Sequence, residues 1–108
     1  MIARAWHATA TAEGADAYRE HFTRQVLPDL EGIDGFRGAY LLRSDHDGDA
    51  ELQVLTLWDS LDTVRRFAGA QVDRAVVEPP ARRVLTSYDT TVNHHTVVVA
   101  TVATSPGS

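Results

Sequence analysis

Three histidines lie in segments that resemble β-strands, and an imidazole in such a place can exchange protons near neutral pH. His94 and His95 are adjacent in "TVNHHTVVVAT", and His7 lies in the N-terminal "MIARAWHATAT". Because successive side chains of a strand point to opposite faces, His94 and His95 cannot share one surface. We expect His94 to face a helix-side pocket, because Val92 and Thr96 share its face and pocket walls are mostly apolar. The candidate catalytic bases are therefore His7 and His94.

For His7 two interpretations stay open. It is either a pocket base or hydrogen-bond donor to a phenolic substrate, or a histidine at the strand edge bonded to backbone or water. For His95 we expect an interface hydrogen bond. His7 and His94 are able to meet across neighbouring strands, but no Asp or Glu pattern completes a metal triad, so no metal site is predicted. His21 and His46 are expected to be solvated.

Four aromatic side chains are the candidates for binding a substrate. A tryptophan is more often part of a core or an interface, since an indole buries a large area and needs one partner for its N–H. Both the core and the pocket interpretation stay open for the two tryptophans. The predicted substrate-binding residues are Trp58, Phe67, Tyr40 and Trp6.

The composition fits one soluble globular domain. The chain has 108 residues, a formal net charge of -5, no lysine and no cysteine. A nucleic-acid partner would need a basic stripe, which is missing, and disulfides and thiolate chemistry are excluded. The N-terminus lacks the pattern of a secretory signal, and the longest apolar run, "VVVA", is too short to span a bilayer. These features predict a cytoplasmic protein with no nucleic-acid or membrane partner.

The first half of the chain predicts a strand, a helix and a hairpin. A strand is expected from Ile2 to Thr11, and a helix is expected from the N-cap Thr11 to about Leu27, where Pro28 should end it. "GFRGAYLLRS" predicts a second strand, and "DHDGD" a polar turn. The third strand, "AELQVLTLWDS", carries apolar residues on both faces, as expected for a sheet covered on both sides.

The second half predicts one more helix and one more strand. Ser60 is expected to cap a helix over "LDTVRRFAGAQVDRAVV", which "EPP" ends. After a short link, "TTVNHHTVVVATV" predicts a fourth strand. The domain then covers residues 1–103, and residues 104–108 form a flexible tail.

The predicted order β-α-β-β-α-β is that of the ferredoxin-like α+β fold, with two helices on one face of an antiparallel sheet. The opposite face must then be covered by something else. The simplest candidate is the same face of a second copy, which predicts a homodimer through the sheet faces.

The segments "MIARAWH", "GFRGAYLLR", "LQVLTLWDS" followed by "VRRFAG", and "TVNHHTVV" together resemble the antibiotic biosynthesis monooxygenase family. The resemblance covers about residues 1–99 and implies a dimeric α/β barrel with a pocket between sheet and helices. It implies Trp58 in that pocket. The polyketide-oxidising members have an amide where this chain has Val54 and a tyrosine where it has Val64. The haem-degrading members use an asparagine, an aromatic residue and an axial histidine where this chain has His7, Phe67 and Val77.

The function that this resemblance implies is a small monooxygenase without a cofactor, acting with molecular oxygen on an aromatic polyketide-like or quinol substrate. Nucleotide, flavin and serine-nucleophile motifs are not found in the sequence. One alternative is a non-oxidative cyclase or isomerase of the same fold. Another is a non-catalytic protein that binds a hydrophobic ligand or haem, because a fold does not fix a function.

Overall fold

The computed structural model describes residues 1–101, so the predicted tail at residues 104–108 and the last two residues of the predicted domain lie outside the described part. The described chain is an α+β domain of five strands with helices between them. The strands are β1 (Ile2–Thr11), β2 (Phe36–His46), β3 (Asp49–Trp58), β4 (Ser87–Tyr88) and β5 (Asn93–Thr96). The helices are α1 (Ala12–His21), a π-helical turn (Phe22–Val26), α2 (Leu27–Glu31), α3 (Leu61–Ala68) and α4 (Pro79–Val84).

The sheet is antiparallel and has the order β2-β3-β1, with both β4 and β5 paired to the free edge of β1. This confirms the predicted ferredoxin-like arrangement, with the last strand divided in two. Between β4 and β5 the backbone turns away from β1. The Val92 N–H donates to the Asp73 carbonyl at 2.8 Å, and the Ala75 N–H donates to the Thr90 carbonyl at 2.9 Å.

The predicted fourth strand is therefore wrong in its extent. It was expected to run unbroken through the valines, but β5 ends at Thr96, which pairs with Ile2. The Val97 N–H still donates to the Met1 carbonyl at 2.9 Å. Beyond that point β1 offers no further partner, and Val98 and Val99 are 87% and 83% exposed.

The first helix begins as predicted and ends later than predicted. Thr11 caps α1, because its hydroxyl accepts a hydrogen bond from the Gly14 N–H at 3.0 Å. Pro28 does not end the helix. Within the π-helical turn the Leu27 N–H donates to the Phe22 carbonyl five residues back. Pro28 then lies in the first turn of α2, where a missing N–H costs little, so the helix continues to Glu31.

The helix after β3 begins as predicted and ends earlier. Ser60 and Thr63 form a capping box at the start of α3. The predicted continuation to Val77 is wrong, because Gly69 has φ +80°, a conformation that ends a helix and suits glycine. Residues 69–78 are an irregular segment, here called the roof segment, that leads into α4.

The helices cover one face of the sheet, and two buried clusters lie beneath them. One surrounds Trp6, Tyr18 and Phe22, and the other consists of Leu30, Trp58 and Val64. The opposite face, here called the outer face, carries Leu55 of β3, and it leaves Tyr40 53% and Leu42 43% exposed on β2. The third strand is apolar on both faces, as predicted. None of the helices between residues 1 and 101 has the length and apolar character to cross a bilayer.

Candidate active-site cavity

A cavity of about 60 Å³ lies between the sheet and the helices, at the seam of the two buried clusters. Its floor is formed by β1 and β3, its sides by α1 and α3, and its cover by the roof segment and α4. Most of the wall is apolar or aromatic, including Trp6, Phe22, Val54, Phe67 and Val77. Pockets that bury drug-sized ligands measure roughly 300–1,000 Å³. A substrate of several rings therefore requires the cavity to widen considerably, and a single small ring requires less widening.

Arg4 on β1 places a buried positive charge at the cavity wall. Its side chain is only 4% exposed. Nη1 donates to the Val72 carbonyl, and Nη2 donates to the Arg74 carbonyl at 2.9 Å. The guanidinium also lies 5.9 Å from the centre of the Phe67 ring. Burial lowers the pKa of Arg4 to about 10, so the group is still cationic at neutral pH. Arg4 thus ties the roof segment to the sheet floor and gives the cavity a positive charge.

His94 on β5 contacts the Arg4 guanidinium. It pairs with Arg4 across the β1–β5 ladder, and its Nε2 lies 3.1 Å from Arg4 Nη1. Its Nδ1 lies 3.3 Å from the Asp73 carboxylate. Because Arg4 has only donors and Asp73 only acceptors, the neutral imidazole must accept at Nε2 and donate at Nδ1. Burial, together with the Arg4 charge, lowers the pKa of His94 below its ordinary value of 6.5, although Asp73 opposes the shift. His94 is therefore neutral at neutral pH.

Tyr18, Glu78 and His21 are further polar groups at the cavity. Tyr18 is 5% exposed, with its ring centre 5.9 Å from that of Trp6. Burial, with a smaller contribution from the Glu78 carboxylate, raises the pKa of Tyr18 well above its ordinary value, so its hydroxyl stays protonated. His21 is 9% exposed, and its ring centre lies 6.1 Å from that of Tyr18. The expectation that His21 is solvated is wrong.

Two of the predicted substrate-binding residues, Trp6 and Phe67, line this cavity. The Trp6 N–H donates to the Asp89 carbonyl at 2.7 Å, so its indole presents an apolar surface. Trp58 does not line it. Its indole is fully buried behind Phe67, with ring centres 5.9 Å apart, and its N–H donates to the Thr56 hydroxyl at 2.8 Å.

The other predicted site residues lie on different sides of the sheet: His94 is on the helix side, and His7 and Tyr40 are on the outer face. His94 and His95 point to opposite faces, as strand alternation predicts, and His94 lies on the helix side. It contacts Arg4 but does not line the cavity. His7 lies on the outer face opposite Gln53, and its Nδ1 is 3.9 Å from the exposed Asp89 carboxylate. Tyr40 also lies on the outer face, opposite Leu55. His7 and Tyr40 therefore do not reach the cavity, and His7 does not meet His94 there.

Arg4, Tyr18 and His21 are polar residues of the cavity that were not predicted as site residues from the sequence. Arg4 is two positions before Trp6, so strand alternation places both on one face. His21 is three positions after Tyr18, which places both on one side of a helix. Tyr18, Phe22 and Val26 recur every four residues, which predicts one apolar face of the helix, and His21 lies outside that spacing. No group of three or more metal-ligating side chains is found among residues 1–101.

Solved structures of similar fold include several oxygenases. A protein from Bacillus cereus described as a candidate antibiotic biosynthesis monooxygenase has 17% identity and a TM-score of 0.67, over 94% of this chain and 97% of that one. SnoaB, a cofactor-independent oxygenase from Streptomyces nogalater, has 15% identity and a TM-score of 0.61, over 92% and 95%. MhuD, a haem degrader from Mycobacterium tuberculosis, has 20% identity and a TM-score of 0.58, over 94% and 100%.

These likenesses concern the fold. The fold matches that of the antibiotic biosynthesis monooxygenases. No family model and no curated protein matches the sequence. At such low identity the likeness applies to the fold, and the particular reaction has to be argued from the cavity.

Proposed function

We propose that the protein is a small monooxygenase that needs no cofactor and oxidises an aromatic substrate, polyketide-like or a quinol, with molecular oxygen. The observation that carries the proposal is a buried cation, Arg4, at the wall of a cavity lined mostly by aromatic and apolar side chains. Such a site binds a flat apolar ring and favours a negative charge on it. The oxygenases among proteins of similar fold support the same reaction class.

The chemistry needs few protein groups. Removing a proton from an acidic phenol O–H or anthrone C–H gives an electron-rich anion that can itself reduce oxygen. When a CH₂ group becomes a carbonyl, one oxygen atom of O₂ enters the substrate and the other leaves as water with both hydrogens. The substrate supplies all the electrons. Arg4 has five N–H donors and uses three in the contacts above, so donors remain for the oxygen of the anion.

The two bases predicted from the sequence take different places in this scheme. Both ring nitrogens of His94 are engaged, with Arg4 and Asp73, so we assign it to positioning the Arg4 guanidinium. His7 serves as a base only for a ligand on the outer face, since the sheet separates it from the cavity. Its role there stays a prediction.

A haem group does not fit the residues present. Val77, which occupies the position that the resemblance gives to an axial histidine, has no atom that ligates iron. The cavity of about 60 Å³ is also far smaller than a porphyrin needs. Haem therefore has no part in the proposed reaction, and a haem titration without a Soret shift is the expected result.

Oxygen uptake tests the proposal. The purified protein is mixed with a panel of anthrones, naphthols and quinols, and uptake is compared with the autoxidation of each compound in buffer. We expect at least one compound to be consumed one-to-one with O₂, and ¹⁸O₂ to label the product with one atom. Product formed equally well without oxygen would instead support a cyclase or isomerase. Uptake at the autoxidation rate for every compound would contradict the proposal.

We also infer a homodimer through the outer face. Tyr40 and Leu42 are half-exposed there and adjoin Leu55, an apolar surface that a second copy can cover. Leu42→Glu is expected to give a monomer in light scattering, because it buries a charge in the interface. Leu61→Glu, at an exposed apolar residue on α3, is the matched control and should not change the mass. A wild-type protein that is monomeric at micromolar concentration would contradict the inference.

A further inference from the structure

His21 differs from every other histidine between residues 1 and 101, because it is buried and one of its nitrogens has no partner. Its side chain lines the cavity and is 9% exposed. Its Nδ1 is buried and accepts or donates no hydrogen bond within that part of the chain. His94, by contrast, has both ring nitrogens engaged, and His7 is exposed.

An unsatisfied nitrogen is costly to bury. Leaving such a group without a partner costs the free energy of removing it from water, and a leucine at this position would avoid that cost. A buried polar atom of this kind therefore requires an explanation, such as a water, a ligand or a catalytic role. His21 lines the cavity, which holds water-sized molecules as it stands and a single ring once it widens, so a bound molecule can supply a partner to the imidazole.

The groups that line the cavity around His21 indicate the chemical class of that molecule. Tyr18 stays protonated and polar beside His21, and Glu78 contributes a carboxylate at the same cavity. On the β1 side, Arg4 contributes a cation. Aromatic and aliphatic side chains fill the remaining wall. A neutral aromatic ring that carries one acidic hydroxyl matches this set, because the ring is buried, the proton meets an imidazole and the resulting oxyanion remains near a guanidinium.

We propose that His21 is the residue that takes the proton from a phenolic hydroxyl of the substrate. The O–H bond breaks, its electron pair stays on the phenolate oxygen, and the proton moves to an imidazole nitrogen. This inference rests on the proposed function for its reaction, but it concerns a proton transfer that occurs without oxygen.

4-Nitrophenol tests the transfer directly, since its phenolate absorbs visible light and its neutral form does not. At a pH where the free compound is largely protonated, binding to the wild-type protein is expected to produce the phenolate band. His21→Gln retains a hydrogen-bonding side chain that cannot take a proton. This variant is expected to bind with less than threefold change in Kd and to lose the band. Oxygen-uptake kcat should fall by about 100-fold or more, with KM little changed.

Two further variants separate catalysis from folding. His21→Leu is expected to be at least as stable as the wild type in urea, because it removes the unsatisfied nitrogen, and to lose the phenolate band. His46→Gln, at the exposed end of β2, is the matched control and should behave as the wild type.

The outcomes distinguish the two proposals. A wild-type protein that forms the bound phenolate but consumes no oxygen with any substrate contradicts the proposed function and supports the role of His21. Wild-type protein that does not bind or ionise 4-nitrophenol overturns the role of His21. An unchanged phenolate band in His21→Gln and His21→Leu overturns it as well.

Discussion

Arg4→Met is expected to lower the free energy of unfolding by about 3 kcal/mol, because removing one member of a buried polar network leaves its partners unpaired. The substitution keeps a long side chain against Phe67. It deprives the Val72 and Arg74 carbonyls and the His94 Nε2 of their donor. Urea denaturation measures the change, since stability falls linearly with denaturant.

Two comparisons sharpen this prediction. Arg4→Lys should fall between the wild type and Arg4→Met, because one ammonium group cannot replace a planar fork with several donors. Arg37→Met is the control, since Arg37 forms a bidentate but exposed ion pair with Asp59, and such surface pairs contribute little. If Arg4→Met unfolds at the same urea concentration as the wild type, the Arg4 network does not stabilise the protein.

The same network predicts where the effect appears. The roof segment is joined to residues 90–92 by the Ala75 and Val92 amides and to β1 through Arg4. Without Arg4, these two amides should exchange with solvent faster, whereas amides in the β1–β3 ladder should change much less. Hydrogen exchange resolved by residue distinguishes a loosened roof from a general loss of stability.

The parts of the fold that local physics decides were predictable from the sequence. β3 shows its two apolar faces in its own alternation, and Ser60 with Thr63 marks a helix start through side-chain bonds to nearby backbone. The helix ends were not. Pro28 is tolerated because a π-helical turn precedes it, and Gly69 ends α3 through a backbone angle that glycine permits but does not require. Where each of these two helices ends depends on packing, which no short segment of sequence determines alone.

The candidate site was less predictable than the fold. Alternation placed His94 and His95 on opposite faces, and the choice of His94 for the helix side rested on Val92 and Thr96 sharing its face. Its contact with Arg4 depends on the register between β1 and β5, residues about 90 positions apart in sequence. The same alternation rule predicts that His7 and Trp6, which are neighbours in β1, lie on different faces of the sheet. What it could not supply was the side of the sheet on which a cavity remains once α1, α3 and the roof segment have packed.

Trp58→Ala is expected to be the most destabilising aromatic substitution, at about 4 kcal/mol, because truncating a buried tryptophan leaves a large cavity. The side chain is fully buried, with its ring centre 5.4 Å from Phe36 and 5.9 Å from Phe67. For a domain whose total stability is roughly 5–15 kcal/mol, this loss is a large fraction. Urea denaturation is again the measurement, with Trp6→Ala, a partly cavity-lining indole, as the comparison.

Trp58→Phe separates the structural role of this indole from a substrate contact. The variant retains most of the packing and loses the N–H donor to Thr56, so we expect moderate destabilisation and a 4-nitrophenol Kd close to that of the wild type. Phe67→Leu removes a ring that lines the cavity and should weaken binding more. If Trp58→Phe weakens binding more than Phe67→Leu does, Trp58 contacts the ligand, as the family resemblance implied. If Phe67→Leu weakens binding more than Trp58→Phe does, Trp58 acts by packing against Phe67 and does not contact the ligand.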